Sequence, residues 1–269
     1  MIVISPNLTL SVSGDYGPNS PVIGWESVIS AVVAESETTD YPASNLLNES
    51  TALRWQAGSG ATQYVTFTVP GTELIDYLAI ARHNFGTIQA TVSVETQEPG
   101  GGEPWVEVIS GFIPADDSPI IGRFTPQHAV GVRLKIQPAG QIPRAAVAYA
   151  GRLLIMQRRI YVGHTPINYG RSARITNARA ESGDFLGRIV LSEALDTSVE
   201  FQNLTPAWYR ETLEPFIEAS KEAPFFFAWR PSTYPTEVGF VWMTNEPRPS
   251  NQRPNGMMQI SFQMGGVKH

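Results

Sequence analysis

Cysteine is absent from all 269 residues. That removes a disulfide framework, a thiol nucleophile, an iron–sulfur cluster and any cysteine-based zinc site. Histidine is scarce. His83, His128, His164 and His269 are the whole supply, and none falls in His-Glu-x-x-His or another metal-binding spacing. Lysine is scarcer still, at Lys135, Lys221 and Lys268. Charged residues make up only 16%. No apolar run approaches the roughly 18 residues that a membrane-spanning helix needs, so no membrane insertion is expected. The opening Met1-Ile2-Val3-Ile4-Ser5 lacks a basic segment before a long apolar core, so no signal peptide is read. No Gly-x-Ser-x-Gly elbow supports a hydrolase serine, and Gly100-Gly101-Gly102 lacks the Lys-Ser/Thr of a phosphate loop.

What is present is turn formers, aromatic residues and arginine. There are 23 glycines and 21 prolines, and 10% of residues are aromatic, which argues for a folded, loop-rich chain. The formal net charge is -6. Residues 1–150 carry 6 basic and 14 acidic groups; residues 151–269 carry 13 and 11. An acidic half followed by a mildly basic half suits contact between copies and disfavours nucleic-acid sequence recognition.

The first half reads as antiparallel strands. Val65, Phe67 and Val69 alternate with Thr66 and Thr68; Ala90, Val92 and Val94 alternate with polar neighbours; Val132, Leu134 and Ile136 do the same. Val28 to Val33 and Trp105 to Ile109 are shorter candidates. Leu74 to Ala81 and Ala145 to Met156 are denser apolar runs. Many short strands parted by Gly, Pro, Asn and Asp predict a mainly β chain, with an antiparallel sandwich over 1–156. Trp55 reads as a core plug.

The second half, 157–269, reads as a second β-rich domain with one principal helix at about 206–222. Gln157 to Val162 is either the last strand of the first domain or a bridge. Ile189 to Leu191 and Val199 to Phe201 are strand candidates. Thr205 is placed to cap the helix and Pro206 to open it. Tyr209, Leu213, Phe216 and Ile217 make its apolar stripe, Arg210 and Glu214 pair across a turn, and Pro215 predicts a kink. Phe225 to Trp229 and Val238 to Met243 are apolar on both faces, while Met258 to Met264 alternates. The polar segment 245–256 between the last two reads as an arm that is either mobile or in contact with a neighbour, and on the reading as an assembling subunit it reaches across a subunit boundary.

Chemistry-bearing clusters are sparse. Asp116-Asp117 suits either a calcium loop or a solvated turn, and Glu181 with Asp184 either paired carboxylates or a loop. His83 ends an apolar strand beside a glycine turn, either as a site residue or as a loop anchor. Arg158, Arg159, Arg171, Arg174, Arg248 and Arg253 are interface candidates, since arginine's planar fork suits a subunit contact. Trp25, Arg54 and His83 form a candidate ligand loop. No metal site, cofactor or enzymatic activity is expected.

Tyr41-Pro42-Ala43-Ser44-Asn45-Leu46-Leu47, then Thr51-Ala52-Leu53-Arg54-Trp55, Val65-Thr66-Phe67-Thr68-Val69 and Ile75 to Asn84 together resemble the discoidin or galactose-binding-like jelly roll over about residues 20–156. Members of that family often bind glycans or lipid heads at one end of the barrel. The variant Ala81-Arg82-His83-Asn84-Phe85-Gly86 also looks like domains of tail proteins of tailed bacteriophages. The second half, from Phe201-Gln202-Asn203-Leu204-Thr205 through the helix to Met257–Gly266, is similar in layout to distal-tail and tail-tip components. The resemblance implies a structural protein of the virion, assembled in the host cytoplasm. It implies a ring of six at or near the distal end of the tail tube, with tail tube and hub proteins as partners. A carbohydrate-binding module or receptor-binding tail protein recognising a host surface glycan remains the alternative. A glycoside hydrolase with two facing carboxylates is a third reading.

Overall fold

The computed structural model describes residues 1–10, 17–100, 102, 104–161, 163–252 and 255–267. Val162, Arg253 and His269 lie outside the described residues. Among the described residues the chain is mainly β: three larger sheets stack, a two-stranded ladder pairs Trp55–Gln56 with Arg144–Ala145, and a helix lies on the outside.

The outermost sheet has five antiparallel strands in the order Ala31–Ala34, Gln63–Thr68, Gly131–Gln137, Thr91–Gln97, Val106–Phe112. The second has four, in the order Ile2–Ile4, Ile120–His128, Leu74–Ala81, Val147–Gly151. These two face each other as an antiparallel jelly-roll sandwich; Ile2–Ile4 alone runs parallel to its neighbour. Phe67, Val92, Val132, Leu134 and Ile136 from the first sheet meet Leu78, Ile80 and Phe124 from the second in one core. Trp55 is completely buried there, its indole N–H given to the Ser36 carbonyl at 3.1 Å. A buried tryptophan needs that partner, because an orphaned donor forfeits its hydration.

The third sheet runs Leu154–Ile155, Val22–Gly24, Phe225–Ala228, Val238–Met243, Met258–Gly266, Phe185–Leu204, Ser172–Arg179. It packs on the back of the four-stranded sheet. Tyr77, Ala79 and Ala81 meet Phe226, Ala228, Val238 and Phe240 in a second core. Its other face is covered by the helix, where Trp208, Leu213, Phe216 and Ile217 meet Phe225, Phe227 and Phe262. The dense apolar runs are thus explained. Alternate residues of Leu74–Ala81 and Phe225–Ala228 enter different cores, so neither face has a wet side to encode. Val22–Gly24 and Leu154–Ile155, both from the first half, hydrogen-bond into the third sheet.

The helix spans Pro206–Ala219 and departs from expectation in detail. Residues Tyr209–Leu213 form a π turn, and Glu214 N–H bonds the Tyr209 carbonyl five residues back. The wider turn lies immediately before Pro215, whose missing N–H and ring would clash with a regular α turn. Thr205 makes no side-chain cap. Its N–H instead goes to Gln157 Oε1 at 2.9 Å, and its hydroxyl accepts from Gln157 Nε2 at 3.2 Å. Arg210 donates to the Pro206 carbonyl at 2.9 Å.

The expected separate strands at 189–191 and 199–201 are one continuous strand, Phe185–Leu204. No glycine or proline lies between them, so nothing forces the ladder to stop.

Candidate functional site

Two places stand apart from the packed body. The first is an arm. The leading part of Phe185–Leu204 pairs only with Ser172–Arg179, out to the turn at 180–184. Glu181 and Asp184 lie in that turn, where Ser182 donates to Asp184 at 2.6 Å. Consecutive strand residues point to opposite faces. Yet Ile189 and Val190 are exposed by 64% and 52%, so neither face of the ribbon rests on the body. Phe185, Leu186 and Leu191 are likewise more than half exposed. Two register shifts, after Arg174 and after Ala178, add bulges and so increase the twist of the ribbon. Arg174 lies on this arm, and Arg171 at its root beside a groove of about 800 Å³ that also takes in Asp116, Asp117 and Glu193.

The arm expected at 245–256 is elsewhere and different. Ser250 and Asn251 pair with Gln259 and Met258, Pro247 is buried, and Gln252 accepts from Asn203 N–H at 3.0 Å. Ser250, Asn251 and Gln252 therefore lie against their own sheet, because the backbone of Ser250 and Asn251 finds ladder partners there. Arg248 is exposed, Arg253 is outside the described residues, and Arg158 donates to the Asn203 carbonyl at 3.1 Å. Arg159 lies over Gly17, exposed to solvent.

The second place is a cleft of about 300 Å³ at one end of the sandwich, lined by Thr51, Arg54, Arg82, His83, Asp117 and Arg144 together with two alanines. The local folding explains each position. Leu74–Ala81 delivers Arg82 and His83 where the strand ends; Arg82 holds φ +54°, a left-handed turn that swings the chain out of the sheet. Gly86 closes that turn against Asp116, where a Cβ would sit 2.3 Å from the Asp116 carbonyl carbon. His83 is buried, with Nδ1 accepting Phe85 N–H at 3.2 Å, Nε2 facing the Ser118 carbonyl at 2.8 Å, and its ring stacked on Phe85. Both ring nitrogens are committed to backbone, so His83 positions the cleft wall. Arg54 lays its guanidinium over Tyr41 at 4.4 Å, and its Nε is buried without an acceptor. Asn45 fixes the Arg54 carbonyl at 2.8 Å, and Asn84 receives Arg144 N–H at 2.9 Å. Asp117 takes Thr87 N–H at 2.9 Å and its hydroxyl at 2.5 Å.

Of the three residues expected to form a ligand loop, the fold brings Arg54 and His83 together. Trp25 lines a separate hollow with Glu49 and Tyr149, its ring against Phe216 at 6.1 Å. The sequence reading missed Arg82 and Arg144. Their signal was arithmetic: they are two of the six basic residues in the first 150. Among the described residues, no three His, Cys, Asp or Glu side chains come together as a metal site, and no helix is long and apolar enough to cross a membrane.

No family model and no curated protein matches the chain. Among solved structures, a pectin-binding carbohydrate-binding module is similar at 17% identity and TM-score 0.40, over 46% of this chain and 91% of its own. The CBM32 of AlyQ, in complex with 4,5-unsaturated mannuronic acid, is similar at 19% identity and TM-score 0.38, over 45% of this chain and 94% of its own. A Clostridium perfringens module in complex with GalNAc-β-1,3-galactose is similar at 15% identity and TM-score 0.40, over 47% and 99%. Each likeness covers less than half of this chain, and the ligands named belong to those proteins.

Proposed function

We propose that this chain is a structural subunit that assembles with copies of itself through its arm, as a ring at or near the distal end of a bacteriophage tail tube. The carrying observation is the arm itself: a two-stranded ribbon with large apolar side chains exposed on both faces. An isolated hairpin is marginal in water, and a contiguous apolar ribbon is a docking surface. The occupant is a second copy. The same chain offers a groove of about 390 Å³ between Ala31–Ala34 and the short helix Ala43–Leu47, with Val33 exposed by 68% and Glu35 and Glu37 on its rim. The arm carries Arg174, Arg179 and Arg188 beside Glu181, Asp184 and Glu193, so its arginines can meet the acids on the groove's rim while its own acids balance its net charge. Two different surfaces of one chain that meet between copies give a head-to-tail contact, the kind that closes into rings. The tail placement, with tube and hub proteins as neighbours, comes from the likeness of sequence layout described above.

The test is mass in solution by light scattering, followed by negative-stain imaging of the same peak, for the intact protein and for Val33→Asp. Rings from the intact protein and smaller species from the variant are expected. A monomer at the highest soluble concentration, alone and with tail-tube protein added, would overturn the reading.

A second reading is favoured by the cleft: the sandwich recognises a glycan on a host surface. It is compatible with the first, because cleft and arm are separate surfaces. A glycan array over several buffers tests it, with no hit counting as its failure.

A further inference from the structure

We infer that the cleft takes a sugar bearing a carboxylate, held by Arg54, Arg82 and Arg144; this rests on the reading of the sandwich as a glycan-recognition module and names its ligand class. The argument begins with scarcity. Residues 1–150 carry 6 basic groups against 14 acidic ones. Three of those six, Arg54, Arg82 and Arg144, line one cleft. An acidic domain has gathered half of its cations at a single hollow, and such a concavity focuses positive potential.

The walls then select the ligand. No Trp, Tyr or Phe lines the cleft, so a neutral sugar ring finds no platform to stack on. Guanidinium forks match a carboxylate's two oxygens, and they are strongest where water is partly excluded. Arg54 lines the cleft with its guanidinium held over the Tyr41 ring at 4.4 Å. The backbone of Arg54 and Arg144 is tied by Asn45 and Asn84, and His83 is bonded to the Ser118 carbonyl, so the loops that carry the arginines are placed before binding. Asp117, the one acid in the wall, is already engaged by Thr87, and its free lone pairs suit a sugar hydroxyl. The volume, about 300 Å³, lies at the small end of ligand pockets, which fits one terminal sugar unit better than a buried polymer.

The experiment is calorimetric titration of the intact protein with trigalacturonate, with the neutral galactose trimer and with inorganic phosphate. It is repeated on Arg144→Gln and Arg54→Gln, and thermal melting confirms that each variant is folded. Binding of the uronate alone is expected, at least tenfold weaker in each variant and weaker again at high salt. Equal binding of the neutral trimer would overturn the charged-sugar inference and leave the glycan reading standing. Phosphate binding as tight as the uronate would overturn it by showing a bare anion site. No binding of either sugar, with glycan-array silence, would end both.

Discussion

Removing the arm separates assembly from folding. Arg174 and Ser192 are register partners, so residues Ile175–Leu191 can be replaced by an Asn-Gly turn without bending the remaining ladder. Five side chains leave with it: Phe185, Leu186, Ile189, Val190 and Leu191, exposed by 65%, 67%, 64%, 52% and 55%. Full burial of such a side chain is worth about 1.5–3 kcal/mol, so each still has about 1–2 kcal/mol to gain from a neighbour. The five together hold about 5–10 kcal/mol per arm, the scale that decides whether a subunit contact forms. In the isolated subunit the same residues contribute little, and the truncated protein should keep its unfolding free energy within about 1 kcal/mol. Light scattering across a dilution series reads the assembly, and urea unfolding reads the fold. The milder pair Ile189→Ser and Val190→Ser should weaken association about 100-fold, from the loss of about 3 kcal/mol. A truncated chain that assembles like the intact one refutes the reasoning. So does a truncated chain whose monomer loses several kcal/mol, because the arm would then belong to the core.

Three further outcomes follow from packing and charge. Trp55→Ala should cost about 3–5 kcal/mol in urea unfolding, since the fully buried indole leaves a cavity and strips the Ser36 carbonyl of its donor. His83→Ala should cost about 2–4 kcal/mol, by orphaning the Phe85 N–H and the Ser118 carbonyl, and should lower ligand affinity in the cleft without touching assembly. Asp76 is buried beside Arg123 and Arg152, accepts Leu153 N–H at 2.8 Å, and is pushed above its ordinary 3.8, first of all by desolvation. A raised folded value means the native state favours the proton. Its contribution is fully present below 3.8 and is lost as pH rises through the folded value. Urea unfolding across that range should show this slope in the intact protein and a flatter one in Asp76→Asn; equal slopes would refute it.

Strand periodicity identified most of the sandwich, because one covered face writes itself as alternation in Gln63–Thr68, Thr91–Gln97 and Gly131–Gln137. The helix was legible from its stripe, but its π turn was not: that depends on how Pro215 is relieved, a matter of backbone hydrogen bonding. Interface arginines were visible as residue types, but not as surfaces. Arg158 spends itself on the Asn203 carbonyl, while Arg174 stands on the arm.

Residues 172–194 and 245–256 show where sequence stops deciding. Both are strand–turn stretches with arginines, and the polar one was the natural candidate for reaching outward. Tertiary structure chose the other, because Ser250 and Asn251 find open ladder positions opposite Gln259 and Met258, whereas beyond Leu195 the strand Phe185–Leu204 has outrun its neighbour in the sheet. The sequence by itself determined a β-rich, cysteine-free chain with an acidic first half. Only folding determined that Arg54, Arg82 and Arg144, far apart along the chain, would share one cleft, because convergence is a property of loop ends and not of spacing.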